Sequence, residues 1–567
     1  MIKKNDEAVL EICDVTGEGF GVGKYTDADT KDFVTYVPFT AIGDRIRCKF
    51  LKVLSSYAFG KAEELIAPSA DRTENDCAVF GKCGGCAYRH VSYGAELKYK
   101  KSAVEQAYRR VFGKDGFPKV ADTVASPRTE GYRNKVEYPI GKDGACGFYM
   151  KKSHRSVRVE NCALQHPAFE RIVEEFEKFV AEYSLIPYDE ESGKGLLRHL
   201  YLRVGEATGE ICVCAVINAK KLPHEDEFIK RLSALEGVKS IYINSNCKNT
   251  NVILSDDYRL LWGDEYIRDK MCGLFVRISP QSFYQVNRAQ AERIYSDALS
   301  LAEKGGNLLD LYCGIGLIGL SGARDFKKVV GVEIVPEAIE DAKAIAKANG
   351  IENAEFYTSD AKRLSALLGQ IGFTPDAVIV DPPRKGLGEE TVKALLALGV
   401  NKIVYVSCNP STQAADARAL CAGGYRLESI TPYDMFPRTH HVESVVCLSR
   451  EKTVHEMNLN PSPFEKIKSG QKTIELRLYD EKRQRIKEGD VIAFTNTSSG
   501  EKMRATVKTL HRFDSFEELY KTLPLLQCGY TAEDIDTAHP SDMEQYYSAE
   551  EQSKYGVVGI ELFPRNE

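Results

Sequence analysis

The stretch Asn307-Leu-Leu-Asp-Leu-Tyr-Cys-Gly-Ile-Gly-Leu-Ile-Gly319 limits what this chain can fold into more than any other. An apolar run passes into a turn carrying Gly314, Gly316 and Gly319, and an apolar helical segment follows. Glycines at that spacing let a strand turn sharply into a helix whose N-terminus meets a ligand through bare backbone. Strands are expected at Asn307–Leu311, Lys328–Glu333, Ala354–Tyr357, Ala377–Asp381, Lys402–Ser407 and Glu443–Leu448, with helical segments between most of them. The alternation predicts an α/β, doubly wound parallel sheet over 286–450, its last strands less regular. Ligands of such sheets sit beyond the carboxyl ends of the strands. Glu333 closes the second strand, placed to accept hydrogen bonds from ribose hydroxyls. By itself the turn fits a dinucleotide fold as well as a methyl-donor fold.

A chain of 567 residues has room for several domains. Residues 1–66 carry short β-like runs at Ala8–Cys13, Phe33–Pro38, Arg45–Val53 and Ala58–Leu65. Turns at Gly17-Glu18-Gly19 and Asp27–Thr30 separate them, the pattern of a small all-β barrel. Residues 67–285 read as an α+β domain. It holds a basic helical segment (Ala95–Phe112), a helix at Ala168–Tyr183, a hairpin of His199–Val204 with Glu210–Asn218, and a strand at Ser240–Asn244. Residues 455–567 suffice for a further small domain, with a helix from Asn460, strands at Thr473–Leu478 and Val491–Asn496, and a helix at Ser515–Thr522.

The net charge of −6 hides an uneven distribution. Between Lys82 and Arg158 there are 17 Lys and Arg against 7 Asp and Glu. A basic region on an otherwise acidic chain fits a polyanion such as nucleic acid; the plainer alternative is an unevenly charged, solvated surface. No apolar run is long enough for a bilayer and the start carries no apolar signal core, so a cytoplasmic protein without membrane contact is expected. Sixteen cysteines then read as reduced thiols or metal ligands. Cys77, Cys83 and Cys86 form C-x5-C-x2-C around Gly84-Gly85, which points to a metal site over three inert thiols. Zinc sites of four thiolates usually show paired knuckles, and only one C-x2-C exists here, which favours an iron–sulfur cluster. Cys162 and Cys146 are both open as a fourth ligand. Within Gly131-Tyr-Arg-Asn-Lys135, Arg133 and Lys135 are candidates for phosphate contacts and Tyr132 for stacking on a base, against a strand-edge cluster with its charges in water.

Asp381-Pro382-Pro383-Arg384 follows the buried run Ala377–Val380. A strand-end Asp-Pro-Pro is typical of S-adenosylmethionine-dependent methyltransferases acting on nucleic acid bases, and it decides between the two readings of the Gly-rich turn; a rigid proline turn is the structural alternative. Cys408 begins the Pro-stiffened loop Cys408-Asn409-Pro410 at the end of the fifth strand, and Glu443 stands before the last strand. Methylation at C5 of a pyrimidine needs this pair. A thiolate adding at C6 makes C5 nucleophilic, and a base must then remove the C5 proton so that the thiol can leave. The target base has to leave its stack. His440 and His441 are further proton-transfer candidates, ranked below Glu443.

Asp310-Leu-Tyr-Cys-Gly-Ile-Gly316, Asp381-Pro-Pro-Arg384, Ser407-Cys-Asn-Pro410, His441-Val-Glu443 and Ser279-Pro-Gln-Ser-Phe-Tyr-Gln-Val-Asn287 together resemble the RNA uracil-5-methyltransferase family, over about 450 residues. The resemblance implies 5-methyluridine formation in RNA, with Cys408 as nucleophile and Glu443 as proton acceptor. It implies S-adenosylmethionine contacts from Gln285, Tyr312, Glu333 and Asp381, and a TRAM-like RNA-binding barrel over 1–66. It also implies a [4Fe-4S] cluster on Cys77, Cys83, Cys86 and Cys162, in a central RNA-binding domain over 67–285. The barrel–cluster–methyltransferase order favours 23S ribosomal RNA, with transfer RNA as the alternative and a non-catalytic RNA-binding iron–sulfur protein as a further one. A cytosine C5-methyltransferase is disfavoured, because RNA enzymes of that kind generally carry Pro-Cys where this chain has Pro382-Pro383. Some family members carry Asn in the Gly-rich turn, where this chain has Ile315 and Leu317, so polar cofactor contacts there fall to the backbone. No obligate protein partner is implied.

Ser469-Gly-Gln-Lys-Thr-Ile-Glu-Leu-Arg477 and Lys487-Glu-Gly-Asp-Val-Ile492 resemble the ASCH domain, a PUA-like β-barrel. Some small ASCH proteins are amidohydrolases using a Lys and a Thr in this segment. Glu475 stands where that Thr would fall, so RNA binding is the expectation, with a structural appendage as the alternative.

Overall fold

The computed structural model describes residues 2–26, 31–151 and 153–563; the expected turn at Asp27–Thr30 lies outside them. The chain forms two compact units, Met1–Ser449 and Arg450–Glu567.

The first unit opens with a closed barrel of β1 (Glu7–Val15), β2 (Phe20–Tyr25), β3 (Phe33–Pro38), β4 (Arg45–Val53) and β5 (Tyr57–Ala67), in the order β1-β2-β3-β5-β4. Four of the five strands were expected from alternation. The fifth, β2, is masked in sequence by Gly21 and Gly23. Close approach requires the first of them: a Cβ on Gly21 would lie 2.0 Å from Thr40 Oγ1 and 2.9 Å from Ile12.

Helix α1 (Tyr93–Phe112) is capped by Ser92, whose side chain accepts from the Ala95 N–H. It buries Val104 and Tyr108 against the seven-stranded sheet described below, and the Tyr108 hydroxyl reaches Gln413 at 3.1 Å. Strand β6 (Lys135–Pro139), the small hairpin β7 (Gly147–Tyr149) and β8 (Ser156–Arg158), and helix α2 (Phe169–Glu182) follow. Next come β9 (Leu197–Val204), β10 (Ile211–Ile217), α3 (Glu225–Ser233), β11 (Val238–Ser245) and β12 (Tyr258–Gly263). The expected hairpin is β9–β10, antiparallel within a sheet ordered β12-β11-β10-β9-β6. The Phe169, Ile172, Phe176 and Phe179 stripe of α2 covers one face. Tyr201, Cys212, Cys214 and Tyr242 on the other face share a core with helix α4 (Arg288–Leu301), which follows the hairpin β13 (Ile267–Met271) and β14 (Leu274–Ile278).

The largest sheet has seven strands: β15 (Asn307–Leu311), β16 (Lys328–Glu333), β17 (Ala354–Thr358), β18 (Ala377–Val380), β19 (Lys402–Ser407), β20 (Tyr425–Tyr433) and β21 (Glu443–Arg450). Their order is β17-β16-β15-β18-β19-β21-β20. The first five run parallel, whereas β21 pairs antiparallel with β19, so the sheet is mixed, not wholly parallel. Leu308 and Val329 face one core and Leu309 and Val330 the other, so successive residues of each strand bury opposite faces. Helices α5 (Leu317–Gly322), α6 (Pro336–Ala348), α7 (Leu364–Gln370), α8 (Glu389–Leu398) and α9 (Pro410–Ala422) connect them. The unexpected strand β20 carries Pro432, which a central strand would not tolerate but the outermost strand does.

The second unit comprises β22 (Val454–Leu459), α10 (Pro461–Lys468), β23 (Ile474–Leu478), β24 (Val491–Asn496), β25 (Lys502–Phe513), α11 (Phe516–Thr522), α12 (Ala549–Tyr555) and β26 (Val557–Leu562). Its strands order as β22-β24-β25-β26-β23, a sheet with two ends. Among the described residues no helix is long and apolar enough to cross a membrane.

Candidate active site

The strand order reverses between β15 and β18, and the residues singled out in sequence gather at the carboxyl ends around that point. Asp310 is fully buried in β15. Its Oδ2 accepts from the Gly319 N–H at 2.8 Å, while Oδ1 is buried without a partner. Glu333, ending β16, accepts from the N–H groups of Gly314 (3.2 Å), Ile334 (2.7 Å) and Val335 (3.1 Å). Gly314 and Gly316 hold φ of +53° and +75°, and a Cβ on Gly314 would meet open space. Ile315 and Leu317 are buried, so the turn presents backbone to the crevice.

Asp381 follows β18, and Gln285 lies beside it through Tyr295. The buried Tyr295 hydroxyl bonds Gln285 and senses the charge of Asp381. Tyr295 carried no signal in sequence beyond its place on an amphipathic helix. Tyr312 takes a left-handed φ of +64°, and its hydroxyl meets Thr391 Oγ1 at 3.1 Å, on the α8 side.

The pairing of β19 with β21 opposes Ser407 to Ser444, which brings Cys408 and Glu443 to one end of adjacent strands. They are close enough for the Glu443 charge to raise the Cys408 thiol. The larger cause is burial, and the Arg384 guanidinium acts the other way by hydrogen-bonding the sulfur. Cys408 is half-buried. Arg384 was part of a quoted motif but had no assigned role. The structure pins its backbone to the loop after Cys408, its carbonyl accepting from Asn409 Nδ2 (2.9 Å) and Thr412 Oγ1 (3.2 Å).

Four carboxyl groups form a row across the strand ends, each sensing the next: Glu333, Asp310, Asp381, Glu443. Burial, then the neighbouring acid, pushes Asp381 up to about 7. Asp310 also rises to about 7, chiefly by burial. Glu443 is held well above the usual carboxyl range by burial first and Asp381 second, with Arg384 opposing. The rings of His440 and His441 lie 4.2 Å apart. Burial lowers both, His441 to about 4, which leaves them neutral near pH 7.

Cys77, Cys83, Cys86 and Cys162 lie within electrostatic reach of one another in all pairings. Cys146 is buried elsewhere, its thiol raised by burial and by Glu177. The Gly84 N–H donates to the Tyr149 carbonyl, which holds the cysteine loop against β7. No group of three or more His, Cys, Asp or Glu side chains is drawn to metal-binding geometry among the described residues. Tyr132 corrects an expectation: it is fully buried, cannot stack on a base, and donates its hydroxyl to the Pro437 carbonyl. Lys135 pairs with Glu137, and Arg133 lies over the rings of Tyr132 and Phe436.

In the second unit, Glu475 is 2% exposed between Lys472 and Arg477, at 2.8 and 2.7 Å.

A family model described as tRNA (uracil-5-)-methyltransferase matches residues 92–451, and an ASCH domain model matches residues 457–565. A protein from Halalkalibacterium halodurans named as an uncharacterized RNA methyltransferase is 40% identical over 453 residues, 79% of this chain and 98% of that relative. One of the same description from Oceanobacillus iheyensis is 40% identical over 455 residues, 79% of this chain and 97% of its own. The crystal structure of Pyrococcus abyssi tRNA (uracil-54, C5)-methyltransferase in complex with S-adenosyl-L-homocysteine matches with a TM-score of 0.64 at 30% identity, over 78% of this chain and all of that one.

Proposed function

This chain belongs to the tRNA (uracil-5-)-methyltransferase family and carries an ASCH domain behind it, and on that premise we propose that it methylates C5 of a uridine in RNA, with Cys408 as nucleophile and Glu443 as proton acceptor. The juxtaposition of Cys408 with Glu443 across β19 and β21, at the mouth of the acidic crevice, carries this reading. A non-catalytic RNA-binding protein needs neither group there.

The crevice fits S-adenosylmethionine. A row of four carboxyls, of which Asp310, Asp381 and Glu443 are raised, and a buried unpartnered Asp310 oxygen suit a cationic ligand, and open space at Gly314 admits it against bare backbone. Glu333 would hold ribose hydroxyls, and Gln285, Tyr312 and Asp381 would line the remainder. When bound, S-adenosylmethionine supplies an electrophilic methyl group on its sulfonium. The Arg384 guanidinium stabilises the Cys408 thiolate, whose electron pair forms the S–C6 bond with uracil. The displaced ring electrons make C5 the nucleophile that takes the methyl group. The Glu443 carboxylate then accepts the C5 proton, the C5=C6 double bond reforms, and the Cys408 sulfur leaves with its electron pair. A carboxyl held above its usual range is a stronger base, better matched to that proton.

The four cysteines have the donor chemistry of a [4Fe-4S] cluster and lie within electrostatic reach of one another, with zinc second. Cys77, Cys83, Cys86 and Cys162 would hold it, and its part is to shape the surrounding loops. The barrel over 1–66 reads as a TRAM-like RNA-binding domain, 67–285 as the central RNA-binding domain, 286–450 as the methyltransferase domain, and 455–567 as a PUA-like RNA-binding module. We favour 23S ribosomal RNA as substrate on the order of these domains. The match to the Pyrococcus abyssi tRNA enzyme supports transfer RNA as the second reading. Incubation with S-adenosylmethionine and RNA bearing 5-fluorouracil tests the reaction, because fluorine at C5 cannot be removed as a proton. A covalent protein–RNA species is expected; its absence on an RNA that binds contradicts the proposal. Nucleoside mapping of ribosomal and transfer RNA from a deletion strain then identifies the substrate by the site that loses 5-methyluridine.

A further inference from the structure

Four consecutive backbone carbonyls, Met435 to Arg438, lie five to eight residues before Glu443, and each is held by a different part of the chain. Asn287 Nδ2 donates to Met435 O at 3.0 Å. Lys100 Nζ donates to Phe436 O at 3.1 Å. The Tyr132 hydroxyl donates to Pro437 O at 3.0 Å. The N–H groups of Ala87 and Tyr88, which directly follow Cys86, donate to Arg438 O at 2.8 and 3.0 Å.

Lys100 is the centre of this clamp. It is fully buried, as are its partners Glu96, at 2.8 Å on the same face of α1, and Asp434, at the head of the loop. Asp434 also accepts from the Tyr93 hydroxyl at 2.7 Å, and Glu96 accepts from the Arg438 N–H at 2.7 Å. Burying three charges is a poor route to stability, since well-packed apolar residues generally do as well or better. What such a network supplies is a unique geometry. The Glu443 carboxylate senses Asp381 and Arg384 through their charges, and among the described residues no hydrogen bond fixes it, so its position follows its backbone.

We propose that Lys100 is a positioning residue for proton abstraction: it locks the 434–438 loop to α1 and so sets where Glu443 stands relative to the uracil C5. The inference rests on the reaction proposed above. It separates the two halves of that reaction, because Cys408 follows β19 directly, whereas Glu443, although β21 pairs with β19, enters its strand from this loop. A displacement of about 1 Å at a reacting group costs on the order of 100-fold.

The test compares wild type, Lys100→Met and Tyr132→Phe in the full-length protein. Tyr132→Phe removes one hydroxyl from the same loop without stranding a buried charge. On RNA containing 5-fluorouracil with S-adenosylmethionine, which reports addition and methyl transfer but not proton removal, both variants should form the covalent species within about threefold of the wild-type rate. On ordinary uridine RNA, Lys100→Met should turn over roughly 10- to 100-fold more slowly and accumulate a covalent protein–RNA species that wild type does not. Tyr132→Phe should move in the same direction by a smaller factor. Turnover at wild-type rates without accumulation in both variants overturns the proposal. If Lys100→Met loses both reactions in proportion, as a folding defect would, Tyr132→Phe decides: accumulation on ordinary uridine supports the clamp and its absence overturns it. Failure of wild type itself to form the 5-fluorouracil species overturns instead the reaction on which the inference rests.

Discussion

Replacing Arg384 by Met removes the positive group that, among the described residues, the structure sets against the Cys408 sulfur. The thiol is raised by burial first and by the Glu443 charge second, and the Arg384 hydrogen bond opposes both. A hydrogen bond to a charged group contributes roughly 1.5–3 kcal/mol, and Arg384 is exposed, so solvent screening brings the figure to about 1–1.5 kcal/mol. That corresponds to about one pKa unit. Well below its pKa, the thiolate population would fall about tenfold. The assay is the rate of covalent species formation on 5-fluorouracil RNA as a function of pH. The expected profile is displaced upward by about one unit, with a roughly tenfold loss near neutrality that closes as the pH rises. A loss of equal size at every pH would refute the argument and place Arg384 on the RNA instead of on the thiol.

Other consequences follow from the same geometry. Asp310 and Asp381 are held at about 7, so each binds a proton at mild acidity that a cationic ligand must displace. Calorimetric affinity for S-adenosylmethionine should rise between about pH 6 and 8, with proton release on binding, and Asp381→Asn should flatten the rise. The same shifts make the folded state bind more protons than the unfolded one between the ordinary carboxyl pKa near 4 and about 7. Those two groups therefore cost stability as pH rises through that window, and a urea titration of Asp310→Asn should show a shallower fall than wild type. Gly21→Ala drives a Cβ into Thr40 and Ile12 and should destabilise the barrel by about 1–3 kcal/mol in chemical denaturation. Iron content of anaerobically prepared protein should be lost in Cys162→Ala and kept in Cys146→Ala, since only Cys162 shares the field of the other three thiols.

Much of the site was legible because its chemistry sits where regular structure is most predictable. Cys408, Asp381 and Glu333 stand at the carboxyl ends of buried apolar strands, and β15, β16 and β19 run as their apolar spans suggested. Strands β2 and β20 escaped because glycine and proline carry opposite meanings at a close approach or a sheet edge than they do in general. The antiparallel insertion of β21 beside β19 was not legible, yet it is what sets Glu443 against Cys408. Tyr132 looked like an RNA-facing aromatic among basic neighbours, and only packing shows it turned inward to Pro437. Lys100 carried no signal of its own within a basic helical segment, and Arg384 none beyond its motif; what marks them is a partner distant in sequence, Asp434 for Lys100 and Cys408 for Arg384.

The central claim, that one sulfur adds and one carboxylate finishes, is tested most directly with Glu443→Gln, S-adenosylmethionine and RNA whose target uridine carries tritium at C5. The account predicts that the variant retains tritium and accumulates a covalent species whose peptide map places the nucleotide on Cys408, while wild type releases tritium and turns over. Tritium release by Glu443→Gln at the wild-type rate, or attachment of the nucleotide to any other cysteine, would contradict it.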